Sequence, residues 1–236
     1  FFGVKLMAQH IKIYILLAPN PLMLDFAGPV EVLRRANKIQ SDFVFDTEYI
    51  APHAEMMTSA GLPVSGLGKL PENLPPKSYL MISGTTADIL GSGDTPSRAQ
   101  IEKDKQTIIS WLRNTVTKDQ TLLTICSGAL LAAHAGLFDG YRCTTHHECL
   151  NELRGISPHI RIEENRLFTE DRNRFASAGI TSGTDLMLLC VRALRCYRGT
   201  GAGQRTHGGC GGLRHRRGRA GVPHPHVAWC GHPHGR

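Results

Sequence analysis

Short apolar runs alternate along the chain with amphipathic stretches. Four runs have the length and composition of β-strands, and they are residues 11–17 (IKIYILL), 43–50 (FVFDTEYI), 79–83 (YLMIS) and 121–125 (TLLTI). Between them, apolar residues recur at helical spacing, from Pro29 at a first helical position to Ala36 and from Thr95 and Pro96 to Val116. Strands that alternate with helices predict an α/β fold with a mostly parallel central sheet, whose ligands collect at the carboxyl ends of the strands.

Smaller elements fill the rest of this pattern. Residues 57–64, broken at Gly61, predict a small hairpin, and an alanine-rich helix after residue 128 is stopped by Gly136. We expect short strands around Arg142, Ile160 and Leu167, a further strand over 175–178, and a last helix over 184–193.

Composition limits the class of protein. The chain has 236 residues, of which 41% are hydrophobic and 20% charged, so it can bury a sizeable core and is not a disordered, collagen-like or coiled-coil chain. No apolar run approaches the roughly 20 residues of a membrane helix. The seven cysteines are odd in number and widely spaced, which predicts reduced thiols. We therefore expect a protein of the cytoplasm that does not contact membranes.

The basic charge is confined to the carboxyl-terminal end. Residues 192–236 contain nine arginines and no Lys, Asp or Glu, so removing their charge from the net +7 leaves −2 for residues 1–191. From residue 199 onward the chain is mostly Gly, Arg, His and Pro, a composition that cannot bury enough apolar surface to fold. We predict one domain over residues 9–198 and a disordered or out-of-frame tail over 199–236.

Three interpretations of this tail remain open. It is a solvated segment, the product of translation out of frame in GC-rich DNA, or a basic arm that binds nucleic acid or metal. The last interpretation has the least support, because the cysteines and histidines of the tail do not match zinc-finger spacing and Cys-x-x-Cys does not occur. The sequence predicts no metal site and no cofactor.

Cys126 stands where the strand at 121–125 meets a helix, which is the position of the nucleophile in a strand–turn–helix elbow. Ser127 and Gly128 are small enough for a tight turn, and the positive end of the helix would favour a thiolate. The amide of Ser127 could face an oxyanion. A buried structural cysteine explains the same position equally well.

Three further residues are predicted to reach the same edge of the sheet. His146 follows a short strand within Thr144-Thr145-His146-His147, Asp25 lies in the loop after the first strand, and Gly84 after the third strand could supply a second backbone donor. Each has an ordinary structural alternative: a histidine outside any site, or a loop aspartate that hydrogen-bonds locally.

These residues belong to segments that resemble a known family. TICSGALLAAHAGLFDGYRCTTHHECLNEL, with LDFAGPVEVL upstream and FASAGITSGTDLMLLCV downstream, resembles the ThiJ/PfpI family of class I glutamine amidotransferase-like domains. The branch that it resembles most forms the amino-terminal effector-sensing domain of AraC-type transcription regulators. The resemblance covers about residues 10–195.

The resemblance implies a flavodoxin-like three-layer sandwich with Cys126 at the elbow, Asp25 beside it and His146 in the family's Thr-x-His motif. It also implies a homodimer whose ligand, an amino acid or amine-like metabolite, lies near Gly84, Thr85 and Ser127. Two departures matter. Hydrolase relatives carry His where this chain has Ser127, and residues 199–236 show no helix-turn-helix pattern, so DNA contact would need a domain that this chain lacks.

Two functions follow as hypotheses. The first is an effector-binding sensor domain of an AraC-type regulator, and the second is a stand-alone cysteine-dependent hydratase or hydrolase, similar to isonitrile hydratase, that uses Cys126 with Asp25 or His146. A weaker third hypothesis is a redox-responsive protein in which Cys126 is oxidised.

Overall fold

The chain folds around a single six-stranded sheet. The computed structural model describes residues 8–86, 96–179 and 181–199, the last five of these by their backbone alone. In chain order the elements are β1 (Gln9–Leu16), α1 (Met23–Ile39), β2 (Phe43–Ile50), β3 (Glu55–Met57), β4 (Pro63–Ser65), β5 (Tyr79–Ile82), α2 (Arg98–Thr115), β6 (Thr121–Ile125), α3 (Gly128–His134), β7 (Arg142–Cys143), a 3-10 turn (His147–Cys149), α4 (Leu150–Ile156), β8 (Arg161–Ile162), β9 (Phe168–Asp171), β10 (Arg174–Ser177) and α5 (Ser182–Gly199).

The main sheet has the strand order β2-β1-β5-β6-β10-β9 and is parallel except for β9, which pairs antiparallel with β10. Helices α1 and α5 cover one face, and α2, α3 and α4 cover the other. The predicted three-layer α/β fold with a mostly parallel sheet is therefore confirmed.

The residues of β1 show why its second half, residues 13–16, is an unbroken apolar run. Ile13 and Ile15 pack into the core beneath α1 and α5, whereas Tyr14 and Leu16 pack into the core beneath α2 and α3. A strand that is covered on both faces has no solvent side to carry polar residues. Burial on both faces therefore replaces the alternation that a half-exposed strand would show.

Two glycines let helix α5 lie close to its neighbours. A Cβ at Gly28 in α1 would collide with Oγ1 of Thr184 in α5, and a Cβ at Gly183 would lie 2.7 Å from Cγ2 of Ile125 in β6. Both positions leave less room than a side chain needs. These contacts bring together three segments that are far apart in the sequence.

The beginnings of two helices differ from the prediction. Pro29 lies inside α1, which begins at Met23. The proline ring is compatible with helical φ, but its missing N–H removes one hydrogen bond to the carbonyl of Asp25. Helix α2 begins at Arg98, where the Ser97 hydroxyl accepts from the amide of Gln100 at 3.2 Å. Thr95 lies outside the described residues.

Some elements were absent from the prediction or cannot be compared with it. Helix α4 was not predicted, because its seven residues contribute a single fully buried side chain, Leu153, and so carry little periodicity. Helix α5 runs on to Gly199, and the predicted tail beyond it lies outside the described residues. Within the described ranges, none of the helices has both the length and the apolar character needed to cross a membrane.

Candidate functional site

Cys126 forms a strained turn between β6 and α3. Its φ is +55°, a left-handed conformation that costs free energy for a residue with a side chain. Helix α3 starts two residues later, at Gly128, where a Cβ would lie 2.7 Å from the carbonyl oxygens of Ile82 and Ser83. The small residue lets the helix begin directly against the end of β5. The strand–turn–helix elbow predicted at Cys126 is present.

Asp25 approaches this turn from the first turn of α1, not from the loop that we predicted. The helix begins earlier than Pro29 indicates, and it includes Asp25. The side chain is fully buried, and its Oδ2 accepts a hydrogen bond from the backbone N–H of Gly84 at 2.9 Å. Its Oδ1 is also buried and has no hydrogen-bond partner in the described part of the chain.

Gly84 is the point where the site residues come closest together. A Cβ at this position would collide with Oδ2 of Asp25 and would lie 3.1 Å from both Cβ of Cys126 and Oγ of Ser127. We call Asp25, Gly84, Thr85, Cys126 and Ser127 the elbow cluster. Gly84 was expected to supply a second backbone donor, and in the structure its N–H donates to Asp25.

The hydroxyls of the elbow cluster hold backbone. The Ser127 hydroxyl accepts from the N–H of Thr85 at 3.0 Å and lies 3.2 Å from the Thr85 carbonyl oxygen, to which it donates. The Thr85 hydroxyl in turn donates to the carbonyl of Pro19. Thr85 and Ser127 therefore lie where the sequence predicted, and their hydroxyls join the loops after β1, β5 and β6.

His146 lies beside the elbow cluster but does not bond to it. The preceding residue, Thr145, donates its hydroxyl to the carbonyl of Cys126 at 2.9 Å. Nδ1 of His146 lies 3.7 Å from a carboxylate oxygen of Glu148, and its ring lies 4.3 Å from that of His147. Among the described residues, no hydrogen bond joins His146 to Cys126 or Asp25.

Burial dominates the protonation of the cluster. It raises the pKa of Asp25 from 3.8 to about 7, against the opposing effect of the Gly84 hydrogen bond. Burial, with a smaller effect of the Asp25 charge, also raises the pKa of the Cys126 thiol to about 12, although a hydrogen bond from the Ser127 backbone lowers it. The helix end was expected to favour a thiolate, whereas burial of the sulfur favours the protonated thiol.

Local sequence patterns carry little signal for three residues around the cluster. Thr145 belongs to the motif Thr144-Thr145-His146-His147, in which only His146 had a predicted role. Ser59, which contacts the start of α1, comes from the distant β3–β4 hairpin. Asn20, after β1, has φ +50° and a buried side-chain amide nitrogen without a hydrogen-bond partner in the described residues. Its position between two prolines was the available signal, since Asn tolerates left-handed turns. In the described ranges, no group of three His, Cys, Asp or Glu side chains could hold a metal ion.

This geometry can be compared with known proteins. A sequence model of the DJ-1/PfpI family matches residues 91–193, which include β6, the elbow and α3. This segment is similar in sequence to the DJ-1/PfpI family. The resemblance to ThiJ/PfpI proteins is thereby confirmed.

Two curated relatives of this chain are transcription regulators of Pseudomonas aeruginosa. The chain is 28% identical to the HTH-type transcriptional regulator GbdR over 174 residues, which are 73% of this chain and 44% of the regulator. It is 31% identical to the HTH-type transcriptional regulator CdhR over 175 residues, which are 74% of this chain and 48% of the regulator. The chain thus spans less than half the length of these regulators.

An enzyme and a solved structure are also similar. The isonitrile hydratase of Pseudomonas putida is 28% identical over 187 residues, which are 78% of this chain and 72% of the enzyme. The crystal structure of an AraC family transcriptional regulator from Pseudomonas putida superposes with a TM-score of 0.58 at 22% identity, covering 78% of this chain and 92% of that one. At this identity the likeness shows the fold, and the fold is the flavodoxin-like one that we expected.

Proposed function

We propose that the chain is the small-molecule-binding sensor domain of an AraC-type transcription regulator. The observation that carries the proposal is the buried Oδ1 of Asp25, an acceptor with no hydrogen-bond partner in the described residues. An unpaired buried polar atom destabilises a protein, and a ligand that donates a hydrogen bond removes that cost. An ammonium group meets this need and also compensates the carboxylate charge, so the proposed ligand is an amino acid or another amine.

The site is better suited to holding a ligand than to turning it over. A cysteine nucleophile needs a lowered pKa or an adjacent base. Here burial raises the pKa of Cys126 to about 12, and in the described part of the chain no histidine bonds to the thiol. Ser127 stands where hydrolase relatives carry His, and its hydroxyl is hydrogen-bonded to the backbone of Thr85.

The similarity to GbdR and CdhR supports the same assignment. In this proposal the domain works as a homodimer in the cytoplasm, and DNA is bound through another domain of the regulator.

A thermal-shift screen of amino acids and of primary amines tests the proposal. We expect a binding compound to raise the melting temperature and to be recovered unchanged, as mass spectrometry can verify. The Asp25→Asn variant should lose the shift, whereas the matched control Asp119→Asn, at an exposed aspartate before β6, should keep it. A shift that is equal in both variants would contradict the role of Asp25.

The hydratase remains the second candidate, because the isonitrile hydratase similarity covers 72% of that enzyme and the pKa of Asp25, about 7, suits a proton donor at neutral pH. Hydration would add one water across the isonitrile carbon and nitrogen to give an N-substituted formamide. Incubation with an alkyl isonitrile separates the two proposals. Formamide produced by the parent chain but not by Cys126→Ser would favour the enzyme.

A further inference from the structure

The β3–β4 hairpin contacts the helix that carries Asp25. Helix α1 has no side-chain cap of its own, since its N-cap residue is Leu22. The first N–H groups of a helix need outside partners. Here the N–H of Met23 donates to the hydroxyl of Ser59 at 3.2 Å, and the N–H of Ser59 donates to the carbonyl of Pro21 at 3.0 Å. A residue 36 positions away thus caps α1 from the hairpin.

The turn that presents Ser59 is closed by its own hydrogen bonds. Thr58 is fully buried, and its backbone N–H and its hydroxyl both donate to the carbonyl of Leu62, at 3.0 and 2.9 Å. The N–H of Gly61 donates to the carbonyl of Thr58 at 2.9 Å, with Gly61 at φ +74°. Ser59 is therefore held in a turn whose own hydrogen bonds are satisfied.

The segment that Ser59 caps is held on its other side by Gly84. The N–H of Leu22 donates to the carbonyl of Gly84 at 3.3 Å, and the N–H of Gly84 donates to Oδ2 of Asp25. Residues 21–25 thus lie between the hairpin and the loop after β5. A shift at the start of the helix would move the carboxyl relative to its backbone donor.

We propose that Ser59 is a positioning residue that holds the Asp25 carboxyl against the N–H of Gly84, so that the β3–β4 hairpin sets the properties of the ligand site. The role of Asp25 as ligand carboxyl rests on the proposed function. The positioning itself does not, because it concerns contacts within the chain.

The titration of Asp25 reports this position. Its hydrogen bond with Gly84 lowers the pKa of the carboxyl, so losing that bond raises the pKa above about 7. The titratable group that faces Asp25 is the thiol of Cys126, and Glu148 and Cys149 act on that thiol from the adjacent turn. Cys126 stays protonated across the range in which Asp25 titrates, so the midpoint belongs to Asp25.

The experiment follows the side-chain carboxyl carbon of Asp25 by NMR against pH, assigned by comparison with Asp25→Asn. In Ser59→Ala we expect the midpoint to rise by roughly half a pH unit to one unit, the equivalent of one ordinary hydrogen bond. Ser59→Thr, which keeps the hydroxyl, and Ser65→Ala, at an exposed serine of the same hairpin, should leave it unchanged. An unchanged midpoint in Ser59→Ala would overturn the proposal, even if that variant is less stable.

A second measurement on the unaltered chain covers the case in which Ser59→Ala does not fold. The amide signals of Met23, Ser59 and Gly84 should all shift with the midpoint of Asp25, and that of Ser65 should not. If the amide signal of Gly84 shifts with pH while the signals of Met23 and Ser59 stay constant, the positioning role is wrong. Neither measurement uses a ligand, so a failed ligand screen would count against the proposed function and not against Ser59.

Discussion

Asp25 and Gly84 are 59 residues apart in the chain and are joined by one buried hydrogen bond of 2.9 Å, from the glycine N–H to Oδ2 of the aspartate. The bond links helix α1 to the end of β5, next to the turn at Cys126. It uses the N–H of Gly84, and the second carboxyl oxygen of Asp25 has no hydrogen-bond partner among the described residues. Four predictions about this cluster and one about the tail follow from these contacts and from the composition.

Replacing Gly84 by Ala should destabilise the domain. The added methyl would collide with the Asp25 carboxyl and press on Cys126 and Ser127, and overpacking of this kind costs about 1–3 kcal/mol. Gly155→Ala is the matched control, because nothing lies within 4 Å of its Cβ position in helix α4, and alanine favours helices. Urea unfolding of both variants measures the difference. Equal stability of the two would contradict the close approach at Gly84.

The stability of the domain should depend on pH through Asp25. Its pKa is about 7 when folded and 3.8 ordinarily, so the folded state holds the proton more tightly. The stabilising effect of this proton is complete below pH 3.8 and is lost as pH rises through 7, with a total on the order of 4 kcal/mol. Unfolding at pH 4.5 and 7.5 should show this loss in the parent chain, whereas Asp25→Asn, compared at the same pH values, should lack this component.

Binding of a cationic amine should weaken below pH 7. An ammonium group pairs with the ionised carboxyl, so protonation of Asp25 competes with the ligand, and affinity should fall by up to about tenfold per pH unit. Calorimetry with an amine found in the screen measures this dependence. An affinity that is constant from pH 5.5 to 8 would show that the ligand does not pair with Asp25.

Cys149 should react with a small thiol reagent at neutral pH before Cys126 does. Of the four cysteines whose side chains the structure describes, Cys149 alone is partly exposed, whereas Cys126 is buried with a pKa raised to about 12. Alkylation followed by peptide mass spectrometry gives the order. Asp25→Asn should speed alkylation of Cys126 several-fold, because removing the carboxylate charge lowers the pKa of the thiol. Faster labelling of Cys126 than of Cys149 in the parent chain would contradict the effect of burial.

A chain that ends at Gly199 should melt within a few degrees of the full chain. The composition of the remaining residues offers almost no apolar side chain to a core. Loss of cooperative unfolding on truncation would show that the tail takes part in the fold. If the full chain binds DNA, the arginines of this segment should account for it, and affinity should fall steeply with salt.

The local pattern of the sequence was enough for the framework. The strands β1, β5 and β6 are apolar runs long enough to be buried on both faces, and the helices between them have a clear apolar stripe, so their order predicts a parallel sheet. The elbow was also predictable, because a strand that runs into Cys126, Ser127 and Gly128 leaves few other conformations. Gly84 and Thr85 follow the end of β5 and Ser127 follows the end of β6, so a parallel sheet predicts that they lie at the same edge. Asp25 reaches that edge from helix α1.

Only the tertiary structure decided how these residues are used. Three contacts join segments that lie far apart in the chain: the hydrogen bond from Gly84 to Asp25, the hydrogen bond between Ser59 and α1, and the close approach of Gly28 to Thr184. Nothing in the local pattern encodes such distances. The same is true of protonation: the pKa values of Asp25 and Cys126 follow from how completely surrounding elements exclude water. The start of helix α3 predicts a thiolate at Cys126, whereas burial in the folded domain raises the pKa of Cys126 and favours the protonated thiol.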